Sequence, residues 1–359
     1  MTKIIVIGGG IAGISAAARL SDDADVTLIE GEKALGYHAS GRSAALIEQN
    51  YGAPSVQALN RASVDYLSDA NGGYLTQRGL MIIADTHEEA ALNDDLITMG
   101  LERITPSDAL KMVPVLDPNK VAFAGYHADA HDIDTDRLMQ DFAKTLRSNG
   151  GSILTNQPVT GITRTPQGWT VIAGGDTLRA DKIVNAAGAW ADQIAMMAGI
   201  RPVGITPCRR SMARIAAPGG HDPARWPMFF GVNETWYAKP DAGALIISPA
   251  DEDSVEPHDA WADDMVLAEG LERYQNMVTT PLTKPISTWA GLRSFAPDRT
   301  LVLGPDPDQP NFIWCAGQGG YGFQTSPAAS QLVADLTLGR LSPLPVEIVD
   351  ALRPDRLRP

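Results

Sequence analysis

The run Gly8-Gly9-Gly10-Ile11-Ala12-Gly13 stands between Ile4-Ile5-Val6-Ile7 and Ile14-Ser15-Ala16-Ala17-Ala18-Arg19-Leu20. No other feature limits the fold so strongly. The four-residue apolar run reads as a strand buried on both faces, and the small residues after the glycines favour a helix. A second strand, Val26-Thr27-Leu28-Ile29, ends in Glu30. The order strand, G-x-G-x-x-G turn, helix, strand, acid is the opening unit of a Rossmann-type dinucleotide fold. Gly8 permits the tight turn, Gly10 lets backbone approach a pyrophosphate, and Gly13 lets the helix pack on the strand. The helix N-terminus offers free N–H groups to the phosphates. Glu30 accepts hydrogen bonds from ribose hydroxyls, which disfavours a 2′-phosphate and so NADP.

Two later segments favour FAD over NAD. Gly36-Tyr37-His38-Ala39-Ser40-Gly41-Arg42-Ser43-Ala44-Ala45 is small, hydroxylated and able to run close along a cofactor. Gly317-Gln318-Gly319-Gly320-Tyr321-Gly322-Phe323-Gln324-Thr325-Ser326-Pro327 follows a strand at Asn311 to Ala316 and precedes a helix at Ala328 to Leu338. One pyrophosphate needs one glycine-led helix N-terminus. A second suits the delocalised negative charge of a reduced flavin.

With 359 residues, 44% of them hydrophobic, the chain is long enough for a two-lobed unit with a sizeable core. A formal net charge of -14 argues against nucleic acid or an anionic membrane surface as a partner. Cys208 and Cys315 form no C-x-x-C and have no neighbouring histidine cluster, so neither a metal site nor a disulfide framework is expected. No stretch approaches the about 18 apolar residues of a membrane helix. The glycines break the apolar start where a signal peptide would be continuous. A cytoplasmic protein is expected.

Ordered matches over nearly the whole chain resemble the D-amino acid oxidase family of flavoproteins, within it the bacterial D-arginine dehydrogenase type. They are Gly36-Tyr37-His38, Ser40 to Ala45, Tyr51-Gly52, Val113 to Leu116, Asp132 to Asp136, Val184-Asn185-Ala186-Ala187-Gly188-Ala189-Trp190, Arg209-Arg210-Ser211, Tyr237 before Lys239-Pro240-Asp241, Thr288 to Phe295 and Gln318 to Gly322. The resemblance implies an α/β fold: a Rossmann-type FAD-binding domain, a parallel sheet with helices, plus a discontinuous α+β substrate domain on a mostly antiparallel sheet. The expected division is 1–47, 131–199 and 291–345 for FAD, 48–130 and 200–290 for substrate, and 346–359 as a C-terminal tail. Asp134 or Thr135 caps a helix that ends at Asn149-Gly150. Gln167-Gly168 turns a hairpin between strands at Val159 and Val171.

With the resemblance, the expected FAD contacts are Gly8, Gly10, Ile11, Ala12, Gly13 and Glu30, then Arg42, Ser43 and Ala44. Val159, Ala187, Gly188 and Trp190 follow, and Gly319, Gly320, Tyr321, Gly322, Gln324 and Thr325 complete the set. The FAD is expected to be non-covalent, because no cysteine lies between Arg293 and Thr300, where covalent relatives attach theirs.

The resemblance implies oxidation of a D-amino acid by hydride transfer from Cα to flavin N5, giving an imino acid that hydrolyses to a 2-oxo acid. Such chemistry needs a carboxylate clamp more than acid–base groups, and arginine's planar fork fits a carboxylate bidentately. Arg293 lies on the strand face of Trp289 and Gly291, opposite Ile286, Thr288, Ala290 and Leu292. Of the adjacent Arg209 and Arg210, strand geometry admits only one to the site, and the family pattern favours Arg210. Tyr237 is expected to bind the carboxylate and Tyr51 to line the pocket. The D-arginine type has a glutamate where this chain has Leu80 and a histidine where it has Leu46, so a neutral or apolar D-amino acid is expected. The rival readings are a 2-hydroxy acid dehydrogenase, the flavin subunit of an opine or secondary-amine oxidase complex, and a non-catalytic nucleotide-binding module. No residue motif selects the electron acceptor among a quinone, a carrier protein and O2.

Overall fold

In a computed structural model, described over residues 1–358, the first strand, Lys3–Ile7, lies inside a six-stranded sheet. The strands follow one another as Val302–Pro305, Phe312–Ala316, Lys182–Asn185, Lys3–Ile7, Asp25–Ile29 and Ser152–Leu154. All neighbours run parallel except the edge strand Val302–Pro305. Ile4, Val6, Val184 and Ile313 point to one face, under the helices Ile11–Leu20, Thr135–Ser148 and Gly322–Leu338. Ile5, Ile7, Ile183 and Trp314 point to the other, against the helix Ala191–Met197 and the three-stranded sheet that carries Trp169 and Val171. Both faces are therefore buried, as the continuous apolar runs require.

The second lobe is built on eight strands, in the order Ser287–Phe295, Thr206–Ala216, Ala244–Ser248, Tyr237–Asp241, Met228–Gly231, Leu80–Ala84, Phe123–His127 and Glu102–Ile104. Neighbours are antiparallel except Met228–Gly231 against Leu80–Ala84. Met81, Ile83, Phe229, Ala238, Leu245 and Ile247 form its buried face. The fold is thus the expected parallel nucleotide lobe with a mostly antiparallel second lobe.

Local signals act as their chemistry dictates. Asp134 caps the helix Thr135–Ser148, its carboxylate accepting from the Arg137 N–H at 3.1 Å. Val159–Thr165 and Gly168–Ala173 form the expected hairpin.

Four details differ from expectation. The helix placed at Ala328 begins at Gly322 and takes Pro327 into its interior. Proline has no N–H for the Phe323 carbonyl. Ser326 Oγ donates to that carbonyl instead, at 2.9 Å. The next N–H, of Ala328, donates to Ser63 Oγ at 3.2 Å on the helix Pro54–Asp69. That helix lies in a segment assigned to the substrate lobe, yet Val56, Leu59 and Leu67 are buried in the core of the nucleotide lobe. Position 291 falls inside the strand Ser287–Phe295, whose whole length belongs to the eight-stranded sheet. The expected tail is anchored: Leu352 is buried, Arg356 pairs with Asp298, and Arg358 with Asp306. Its last residue, Pro359, lies outside the described residues. Among the described residues no helix is long and apolar enough to cross a membrane.

Replacing Ser63 with alanine leaves the Ala328 N–H without its partner. A loss of about 1–3 kcal/mol is expected, measured by chemical denaturation, with the visible absorption of bound cofactor unchanged.

Candidate active site

The glycine turn is a contact made by backbone alone. Gly8 has φ of 109°, and a side chain on it would strike the Ala186 carbonyl. A side chain on Gly13 would strike the Gly8 carbonyl. The first helix thus sits as close to its strand as backbone permits, with its N-terminus facing a cavity. Ser40 Oγ accepts from the Ile11 N–H at 2.9 Å, and Gly36 N–H donates to Gly9 O at 3.0 Å, so residues 36–45 lie along that N-terminus. Glu30 is fixed at its strand end: Oε2 accepts from the Gly9 N–H at 2.7 Å and Oε1 from the Glu32 N–H at 2.8 Å. Each oxygen keeps a further lone pair for a hydroxyl.

The cavity runs from this turn to the eight-stranded sheet, with a volume of about 890 Å³, near the upper end of the roughly 300–1,000 Å³ of ligand sites. Gly8, Gly10 and Glu30 line it, as do Val159, Ala187, Gly188 and Trp190, and Gly319, Gly320 and Gly322. A cavity of this size lined by a glycine-led helix N-terminus and a second glycine loop fits an extended dinucleotide with a flat ring system. FAD has that shape.

Beyond the glycine loop lie Tyr51, Arg210, Tyr237 and Arg293, all four on the cavity wall. The antiparallel register pairs Cys208 with Arg293 and Arg210 with Gly291, so Arg210 and Arg293 project from one face of adjacent strands. Arg209 projects from the opposite face and pairs with Asp251 and Asp253. The strand register therefore brings Arg210, not Arg209, to the cavity.

The two cavity arginines differ in what holds them. Arg210 is buried: its Nε donates to Asp251 O at 2.9 Å, Nη1 to Glu234 Oε1 at 3.1 Å and Nη2 to Glu252 Oε1 at 3.0 Å. Its fork is committed to the protein. For Arg293 the carboxylate oxygens within reach of the fork are Glu252 Oε1 at 3.7 Å and Glu234 Oε1 at 3.9 Å, both beyond hydrogen-bond distance. Its guanidinium lies against Gly320, where an added Cβ would be 3.0 Å from Cζ. Burial alone lowers the Arg293 pKa, but Tyr51 and Glu234 outweigh it and hold it above its ordinary value. It is a permanent, uncommitted cation facing the cavity.

Tyr51 donates to Glu234 Oε2 at 2.9 Å. Burial first, then Glu234, raises the Tyr51 pKa, so its hydroxyl stays a donor. The wall also carries the apolar Leu46, Leu80, Ile82, Met212, Met228 and Phe230, together with the polar Glu48, Asn50, Asp95, Thr98 and Asn233.

Other expected contacts are placed differently. Ile11, Ala12, Ser43, Ala44 and Gln324 line the cavity, whereas Gly13, Tyr321 and Thr325 do not. Gly13 packs beneath the turn. Tyr321 is buried edge-on to Tyr51, and Thr325 is buried with its hydroxyl on Tyr321 O at 2.8 Å. Arg42 lines the cavity, but its guanidinium is held by Tyr37 O, Ala260 O, Ala290 O and Asp259 at 2.5 Å. It fastens the 259–260 loop to the strand Ser287–Phe295 rather than standing free for a phosphate. Glu234 and Glu252 were not foreseen. They lie outside the regular strands, where no periodicity marks an inward residue.

The family described as FAD dependent oxidoreductase (DAO) matches residues 3–336. Glycine oxidase of Geobacillus kaustophilus is 25% identical, over 93% of this chain and 92% of its own length. L-2-hydroxyglutarate dehydrogenase of Escherichia coli is 29% identical over 60% of this chain and 54% of its own. L-proline dehydrogenase from P. horikoshii has the same fold, with a TM-score of 0.83 at 24% identity over 99% of this chain and 97% of that one.

Gly13→Ala forces a methyl group onto the Gly8 carbonyl. At least about a tenfold loss of FAD affinity is expected, equivalent to about 1.4 kcal/mol, measured by titrating the FAD-stripped protein with FAD and following quenching of flavin fluorescence.

Proposed function

We propose that this chain, which belongs to the DAO family of FAD-dependent oxidoreductases, oxidises the Cα–N bond of a D-amino acid with a neutral, apolar side chain. The product imino acid then hydrolyses to a 2-oxo acid. The observation that carries this reading is the Arg293 fork, which makes no side-chain hydrogen bond to a carboxylate and lies against the glycine loop at Gly320, in a cavity whose wall includes Leu46, Leu80, Met228 and Phe230. Bound FAD supplies the acceptor for the hydride. Gly8 to Gly13, Glu30 and the glycines from 319 to 322 hold it. Arg293 takes the substrate carboxylate bidentately, with the Tyr51 and Tyr237 hydroxyls beside it. The side chain then rests against Leu46, Leu80, Met228 and Phe230, which favours apolar groups over cations. The D configuration follows from the resemblance of the sequence motifs. A relative named for glycine agrees with an amino acid as substrate. FAD is held without a cysteine thioether, since Cys208 and Cys315 are buried and neither lines the cavity.

The test is anaerobic reduction of the purified flavoprotein. Neutral D-amino acids such as D-leucine or D-methionine are expected to bleach the visible flavin band, with kcat/KM well above that for D-arginine. Bleaching by 2-hydroxy acids alone would move the reaction to hydroxy-acid oxidation. Arg293→Met is expected to lower kcat/KM by roughly 10²–10³-fold, the loss of a charge-assisted contact of about 3 kcal/mol. Acid precipitation should leave all the yellow colour in the supernatant.

A further inference from the structure

Glu234 sits where a loop residue has no conformational reason to be. It follows Asn233 at the end of the strand Met228–Gly231, and the two have φ of 55° and 52°. Consecutive left-handed residues other than glycine are costly and persist only where surroundings impose them. Here Asp95 Oδ2 accepts from the Asn233 N–H at 2.9 Å, and Thr235 Oγ1 donates to Val232 O at 3.1 Å. The bend turns the Glu234 carboxylate into the cavity.

That carboxylate stays ionised. Burial raises its pKa, but Arg293 and Arg210 outweigh it and hold it below the ordinary range. Oε1 accepts from Arg210 at 3.1 Å and Oε2 from Tyr51 at 2.9 Å. A carboxylate has about four acceptor positions, so two remain, and the side chain is still 30% exposed toward the cavity. Oε1 also lies 3.9 Å from the Arg293 fork. A fixed anion thus stands beside the cation that faces the cavity.

We propose that Glu234 is the specificity-determining residue that receives the substrate's α-ammonium, and that it selects amino acids over hydroxy acids and phosphorylated alcohols. The assignment rests on Arg293 as the carboxylate clamp. A 2-hydroxy acid meets the same clamp but brings no cation to Glu234. A second carboxylate or a phosphate placed there meets like charge, which disfavours it. The Tyr51 hydroxyl donates to the same carboxylate, so Tyr51 and the ammonium share it.

The experiment compares wild type with Glu234→Gln, which keeps the size and the acceptor oxygen but removes the charge, as FAD-loaded protein. Dissociation constants are read from anaerobic flavin spectra for a neutral D-amino acid, for the matching 2-hydroxy acid and for the matching simple carboxylate. Glu234→Gln is expected to weaken the amino acid by roughly 10- to 100-fold, and to leave the two amine-free ligands unchanged or tighter. Glu234→Asp is expected to restore part of the difference. Equal weakening of all three ligands would mean that Glu234 only supports Arg210 and Tyr51, and would overturn the proposal. Unchanged amino-acid binding would overturn it too, while leaving the Arg293 clamp standing. A wild-type protein that binds none of the three would overturn the clamp, and this assignment with it.

Discussion

Two arginines on one face of neighbouring strands repel each other, and the substrate end of this molecule is organised around that repulsion. The register of Thr206–Ala216 on Ser287–Phe295 leaves no choice about it, since it sets Arg210 beside Gly291 and Arg293 beside Cys208. Glu234 and Glu252 resolve it. Each lies near both guanidinium groups, and each forms its direct hydrogen bond with Arg210. Arg210 therefore acts as the scaffold cation and Arg293 as the available one. Removing one carboxylate would leave buried positive charge uncompensated, which costs more than an intact pair contributes. The glutamates are thus needed for the arginine pair to exist, whatever else they bind.

The same strand joins this cluster to the cofactor end. Gly319 N–H donates to Ser294 O at 2.8 Å, and Gly320 carries no side chain because the Arg293 guanidinium occupies the space. Trp289 Nε1 donates to Arg42 O at 3.1 Å, while Arg42 reaches back to Ala290 O. The strand Ser287–Phe295 belongs to one sheet by its ladder and to the other lobe by these contacts. A division of the chain at 291 cuts through the element that couples the lobes. Arg293 and the glycine loop are consequently fixed relative to each other through backbone.

The parts of this arrangement that were legible in the sequence are those whose cause is local. The glycine turn, the Asp134 cap and the Gln167-Gly168 hairpin each depend on residues within a few positions of one another. Alternation placed Arg293 on the face of Gly291 because a strand has a period of two. The choice between Arg209 and Arg210 needed the register of a partner strand some eighty positions away. The helix start at Gly322 was hidden because Pro327 normally ends a helix. Ser326 and, across the core, Ser63 offset its missing N–H. Arg42 gave the same signal as a phosphate ligand, a cation in a glycine-rich loop, and only the distant Asp259 and Ala260 reveal its other use. Glu234 gave no signal at all, because a carboxylate in an irregular loop looks like solvated surface until the fold turns it inward.

The distribution of backbone strain follows from this. Apart from asparagines, the residues other than glycine with positive φ among those described are Glu234, Ala242, Ala250 and Arg299. Three of these border the arginine cluster: Glu234 itself, Ala250 next to Asp251, whose carbonyl holds Arg210, and Arg299, whose side chain pairs with Glu252 at 2.8 Å. Regular strands carry the arginines, and their geometry is fixed by the ladder. The carboxylates that answer them must come from outside the ladder, and the loops that carry them bend against their own preference to do so. Relaxing these bends would withdraw the carboxylates and leave the arginines facing each other unscreened, which costs more than the bends do. The strain lies in the loops because the sheet cannot move its arginines, so the anions must be brought to them.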